Sequence, residues 1–329
     1  MKKLIAAAIV SLTAVVASAE TLTIYTDRPT ARVQPIADQF KAQTGADVVI
    51  IEKAYADVLA QIQAEGEATP ADLIFTKDLV FLSDLTQKGL LQPLASASVK
   101  SRVAPAMKDL NDNWIGITYR ARTLVYAPDR VNPSEISDYA DLADAKWAGR
   151  VCMRTSKGTY NVALIASLVH HKGATAAKDI MAGILDNLAV DVYPNDTAMM
   201  TAMANGICDI GIANTYYLAG MLDQNPNFPI KPLFANQNST GAHVNGSGVG
   251  IVKYSKKAAL AEQFISLMLQ ENNQLWLSGS HMEYPAALGV TPNTLIKDWG
   301  TFKVDPTNWT VIGESVPAAK EIIKELDYK

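Results

Sequence analysis

Apolar positions along the chain alternate between two periods. Thr21 to Tyr25, Asp47 to Glu52 and Leu73 to Thr76 show the short alternating or continuous apolar runs of strands. Between them, Ala31 to Gln43 and Tyr55 to Glu65 place apolar residues at helical spacing. Gly45 follows the first of these where a left-handed helix stop is expected. Strands and helices in strict alternation predict a parallel sheet covered by helices.

The pattern changes at Trp114 to Ala127. Ile115 to Tyr126 is one extended run of period-two character, about twice the usual strand length of roughly 5–6 residues. It reads as a crossover strand joining two lobes. Pro128 and Pro133 interrupt the chain after it, and fresh α/β units begin at Arg150 to Arg154. Gly248 to Lys253 reads as the return crossover, with Asn245 and nearby glycines allowing a sharp turn before it. The helix from Ala258 to Gln270 then completes the first lobe. The expected architecture is a two-lobed α/β clamshell with two extended crossover strands. Residues 20–120 with about 248–295 form its first lobe and about 121–247 its second, while 296–329 has no lobe assignment.

The beginning of the chain adds a location. Met1-Lys2-Lys3, the apolar stretch Leu4 to Val16 and Ala17-Ser18-Ala19 have the form of a cleaved secretory signal peptide, so 1–19 is expected to be removed on export to the periplasm. Without Lys2 and Lys3 the net charge of -4 becomes -6, which argues against a nucleic-acid binder. Cys152 and Cys208 are the two cysteines; in an oxidising compartment they suit either a disulfide or two buried thiols.

Candidate chemistry centres on Tyr216-Tyr217, between the apolar run Ile210 to Ala213 and a helical stretch from Leu218. Open α/β sheets bind ligands at strand C-termini. Two adjacent phenols there offer hard oxygen donors for a hard, highly charged cation such as ferric iron. Two further turns share that edge, Tyr25-Thr26-Asp27-Arg28 and Arg154 to Asn161. Tyr25, Tyr119 and Tyr126 are expected to pack, His170-His171 to end a helix in solvent, and Met199, Met200 and Met203 to fill a core. Four histidines and two cysteines lack zinc-ligand spacing, and no phosphate loop, nucleophile elbow or catalytic triad is apparent, so no enzyme is expected. The residues by themselves also admit a two-lobed receptor for another anion or small solute without a metal.

An ordered series of segments resembles the periplasmic ferric-iron-binding proteins of bacterial ABC transporters, in their transferrin-like, tyrosine-rich, anion-dependent branch. It comprises Ile24-Tyr25-Thr26-x-Arg28, Pro70 to Thr76, Gly116 to Arg122, Arg154 to Asn161, Asn214-Thr215-Tyr216-Tyr217, His243-Val244-Asn245 and Glu283-Tyr284-Pro285. The resemblance implies a type II periplasmic-binding-protein fold and a monomer that hands ferric iron to an inner-membrane ABC permease. It also implies that Tyr216, Tyr217 and Tyr160 bind the metal. Pro29, Thr30 and Lys77 stand where other branches carry first-lobe ligands. A carbonate or bicarbonate anion would then complete the shell, gripped by Arg28 and Arg120. Three phenolates and carbonate exceed the ferric charge by two, which two guanidiniums would offset. Arg122 has the same strand parity as Arg120 and competes for that role.

Overall fold

The computed structural model describes residues 20–329, so the expected leader at 1–19 lies outside the described residues. The chain opens with β1 (Thr21–Thr26), α1 (Gln34–Thr44), β2 (Asp47–Glu52), α2 (Tyr55–Glu65) and β3 (Leu73–Thr76). β1 lies between β2 and β3, parallel to both. α1 begins later than its apolar spacing suggests, because Thr30–Arg32 forms a separate short 3-10 turn and a proline occupies the first helical turn. It stops at Gly45, whose φ of 77° is the left-handed conformation glycine tolerates.

After α3 (Leu79–Gln87), β4 (Leu91–Gln92) and α4 (Ala97–Lys100) comes β5 (Trp114–Tyr126). Its first part, Trp114 to Ala121, runs antiparallel to a later strand of the first lobe, and Arg122 to Tyr126 joins the sheet of the second lobe. One strand therefore belongs to two sheets. The second lobe contains β6 (Val151–Cys152), α5 (Thr159–Lys172), α6 (Ala174–Asp186), α7 (Asp196–Ala204), β7 (Ile210–Asn214), α8 (Thr215–Gln224) and β8 (Lys231–Leu233). Cys152 and Cys208 are disulfide-bonded there, their Cα atoms 5.9 Å apart. They lie in a core cluster with Met199, Met200 and Met203.

The return strand is β9 (Val244–Val252), and it starts before the expected Gly248. Val244 already pairs with Ala121, and β9 continues between β3 and β5. Gly248 to Val252 is thus interior to the first-lobe sheet, and the crossing lies near His243, whose carbonyl accepts from the Arg122 N–H at 2.9 Å. The glycines here do not turn the chain. A side chain at Gly246 would meet the Thr118 carbonyl, so glycine permits close strand approach. Joined through β5, the strands of the two sheets follow the order β2-β1-β3-β9-β5-β7-β6.

The chain ends with α9 (Ala258–Met268), α10 (Glu271–Gly279), β10 (Tyr284–Pro285), α11 (Thr294–Lys297), α12 (Trp309–Glu314) and α13 (Val316–Glu325). α12 packs on both α3 and α5, one from each lobe, and α13 packs on α5 and α6. The Trp309 indole donates to the Val244 carbonyl at 3.0 Å. The segment without a sequence-based lobe assignment therefore braces the crossing and covers the second lobe. Among the described residues, no helix is long and apolar enough to cross a membrane.

Candidate functional site

Two helix starts set the site. Tyr160 is the second residue of α5 and Tyr216 the second residue of α8, both at strand-to-helix junctions of the second lobe. Tyr216 donates its hydroxyl to that of Tyr160 at 3.0 Å. α8 begins at Thr215 rather than near Leu218, directly after Asn214, which leaves the strand in an extended conformation and makes no side-chain capping bond. The tyrosine pair therefore occupies its first turn, where the helix dipole favours negative charge. The Tyr217 ring lies 4.2 Å from that of Tyr216, tilted by 36°.

Burial raises the pKa of Tyr216 well above its ordinary value and also raises that of Tyr160. Repulsion from Tyr217 adds to both shifts, while the Arg120 guanidinium opposes them. Two cations flank the Tyr160 ring, with Arg154 5.1 Å and Arg120 5.5 Å from its centroid. Such cations lower the cost of ionising the phenol.

The first lobe contributes Arg28, from the turn after β1, and Arg120, from β5; they are 4% and 3% exposed. Each has a carboxylate nearby. Glu283 lies 4.0 Å from Arg28 and 3.9 Å from Arg120, and Thr118 donates to it at 2.5 Å. Burial alone would raise the Glu283 pKa, but Arg28 and Arg120 outweigh it and hold the group below its ordinary value. Asp78 lies 3.6 Å from Arg120, which also donates to the Lys77 carbonyl at 2.7 Å. Burial lowers the pKa of Arg28, whereas for Arg120 the same penalty is outweighed by Asp78 and Glu283 and the pKa rises. The buried Nε atoms of Arg28, Arg120 and Arg154 have no hydrogen-bond partner among the described residues. Buried donors of this kind call for an acceptor.

Arg28, Arg120, Tyr160, Tyr216, Lys77 and Glu283 all line one cavity of about 360 Å³ between the lobes. Arg122 is not among its lining residues. It is committed to the second lobe, donating to Asp196 at 2.7 Å and Asn161 at 2.8 Å. Tyr25 is buried and bonds Glu65 at 2.9 Å and Gln61 at 2.8 Å, and its pKa is pushed up to about 12, mainly by burial. Lys77 faces Asp27 at 3.7 Å. His170 is exposed, but His171 is paired with Asp305 at 2.7 Å, tying α5 to the C-terminal segment. Among the described residues, no group of three or more His, Cys, Asp or Glu side chains is placed to hold a metal.

Sequence reasoning missed Asp78 and Glu283. Asp78 had a local signal, a capping carboxylate directly before the apolar helix at Leu79. Glu283 had only its place in the resembling Glu283-Tyr284-Pro285 segment. Arg154 was in the right turn but carried no assigned role.

The bacterial extracellular solute-binding protein family model matches residues 35–304. Iron uptake protein A1 of Synechocystis is 35% identical over 297 residues, spanning 88% of this chain and 82% of that protein. A Trichodesmium protein in complex with iron and citrate superposes with a TM-score of 0.88 at 34% identity, covering 94% of this chain and 100% of that one. The ferric binding protein of Campylobacter jejuni gives 0.83 at 30% identity, covering 94% and 100%.

Proposed function

The chain belongs to the bacterial extracellular solute-binding proteins, within them to the ferric-iron-binding receptors of ABC transporters with the two-lobed type II fold, and from that premise we propose how it holds its cargo. Tyr160, Tyr216 and Tyr217 bind ferric iron as phenolates, and a small oxyanion bridges from the metal to Arg28 and Arg120. The loaded protein acts as a monomer in the periplasm and delivers iron to an inner-membrane permease.

The contact between the Tyr216 and Tyr160 hydroxyls at 3.0 Å carries this reading. Two adjacent donors about 2 Å from one small hard cation stand roughly 2.8 Å apart, so the ion could replace the shared proton with little movement. The flanking guanidiniums and the first turns of α5 and α8 favour the negative charge that must develop.

The charge balance differs from the simple one. Glu283 and Asp78 already lie near the two arginines. Additional positive charge comes from Arg154, which shares Asp196 with Arg122 at 3.7 Å and 2.7 Å respectively. The unpartnered guanidinium nitrogens support carbonate as the co-bound anion, since a planar oxyanion can accept from several of them.

Ferric iron added with bicarbonate to the metal-free protein should produce a visible phenolate-to-iron charge-transfer band. Absence of that band with either bicarbonate or citrate would overturn phenolate binding. A band with citrate alone would replace carbonate by a larger polycarboxylate, for which a cavity of about 360 Å³ has room. Tight binding of the anion without iron, and no band, would favour the metal-free receptor.

A further inference from the structure

We propose that Asp78 and Thr159 form a latch that holds the lobes closed. The proposal rests on the cleft reading above for its cargo, while the latch itself is visible in iron-free protein.

Asp78 ends the turn after β3 and is fully buried. Its Oδ1 belongs to the first lobe and the crossing. It accepts from the Val80 N–H at 3.0 Å, capping α3, and from Asn245 Nδ2 at 2.8 Å. Asn245 reciprocates by accepting from the Leu79 N–H at 3.0 Å. It sits on the return strand β9, directly opposite Arg120 on β5.

Oδ2 has different partners. It accepts from the Thr159 hydroxyl at 2.6 Å and lies 3.6 Å from Arg120 Nη2. Thr159 is the first residue of α5, adjacent to Tyr160. A helix cap needs only one carboxylate oxygen, and here the other reaches across the cleft. The first-lobe carboxyl is held by both the helix start and the return strand, so it presents a fixed acceptor. The second-lobe donor is fixed by the helix that carries Tyr160.

Arg120 shares the Oδ2 atom with Thr159 and also faces the Tyr160 ring. Separation of the lobes breaks a hydrogen bond to a charged group. That interaction is strong enough for its loss to change a closed–open equilibrium by roughly tenfold or more.

Thr159→Val keeps the side-chain shape and removes the donor, whereas Thr159→Ser restores the donor. Thr159→Ala replaces the valine variant if the branched side chain disturbs the helix start. Small-angle scattering should be recorded for each protein with and without ferric iron, and release to a chelator followed at the charge-transfer band. The expected result is a larger radius of gyration for the valine variant, release faster by about tenfold or more, an unmoved band maximum and recovery in the serine variant. Unchanged radius and unchanged release would overturn the latch. A shifted band maximum would also overturn it, by placing Thr159 in control of the ligand shell. If wild-type protein shows no band, the iron reading fails separately, and the iron-free radii still decide the latch.

Discussion

Tyr216 and Tyr160, 56 residues apart in the chain, share one hydrogen bond of 3.0 Å between their hydroxyl groups. Their rings are held by two helix starts, so removing one oxygen should leave the scaffold in place. Tyr216→Phe and Tyr160→Phe are expected to fold and to lose or strongly diminish the charge-transfer band. Structural zinc sites in small peptides bind with about 10–16 kcal/mol shared among four ligands, and on that scale the loss of one ligand should weaken iron binding by roughly a hundredfold or more. A full-intensity band in either variant would remove that tyrosine from the shell. Tyr217→Phe is the same test for the third phenol.

Burial raises the pKa values of Tyr216 and Tyr160, so both phenols carry protons near neutral pH in the metal-free site. Loading must displace those protons, so acid favours the empty form and affinity rises with pH. Titration in weakly buffered solution with the anion held constant should show proton release, and each phenylalanine variant should release one proton fewer. Equal release from wild type and all three variants would contradict phenolate ligation.

Glu283 separates two buried guanidiniums, at 4.0 Å from Arg28 and 3.9 Å from Arg120. Glu283→Gln removes its charge and leaves like charges facing one another. Breaking a buried pair in this way costs on the order of 3–5 kcal/mol. A lower melting temperature is expected, with bicarbonate or sulfate restoring more stability to the variant than to wild type. An identical anion response would show that Glu283 does not compete with anions for these arginines.

The Cys152–Cys208 bond closes a segment with a sequence separation of 56. Loop-closure entropy assigns such a crosslink about 4 kcal/mol. Denaturant unfolding of Cys152→Ala/Cys208→Ala should show a loss of up to that size, with no change in the band of the iron-loaded protein. A loss of the band would mean that the crosslink also shapes the cleft.

The apolar pattern located β2, α2 and β3 at their observed bounds, Asp47–Glu52, Tyr55–Glu65 and Leu73–Thr76. α2 buries the stripe Val58 and Ile62 that its spacing suggests, β3 is a continuous apolar run buried throughout, and β2 is only half-buried. The length of β5 also revealed a strand passing between lobes. β9 was placed less well, because closely paired glycine-rich strand and glycine-rich turn have the same composition. Whether Arg120 or Arg122 served the cleft was undecidable from strand parity. Asp196 and Asn161 settle Arg122 into the second lobe, and neither is a neighbour in sequence. Glu283 was silent for the same reason: the Thr118 hydroxyl that bonds it is 165 residues away.

Because β5 is registered with β9 on one side of Ala121 and with β7 from Arg122 onward, no slack tether separates the halves. Their relative travel must be absorbed by a few backbone torsions beside that residue and at the return crossing near His243, much as a door turns on a pin. Arg120, one residue away, is carried close to the axis and sweeps only a short arc. The Arg120 guanidinium can therefore stay in position while the phenol-bearing half swings toward it.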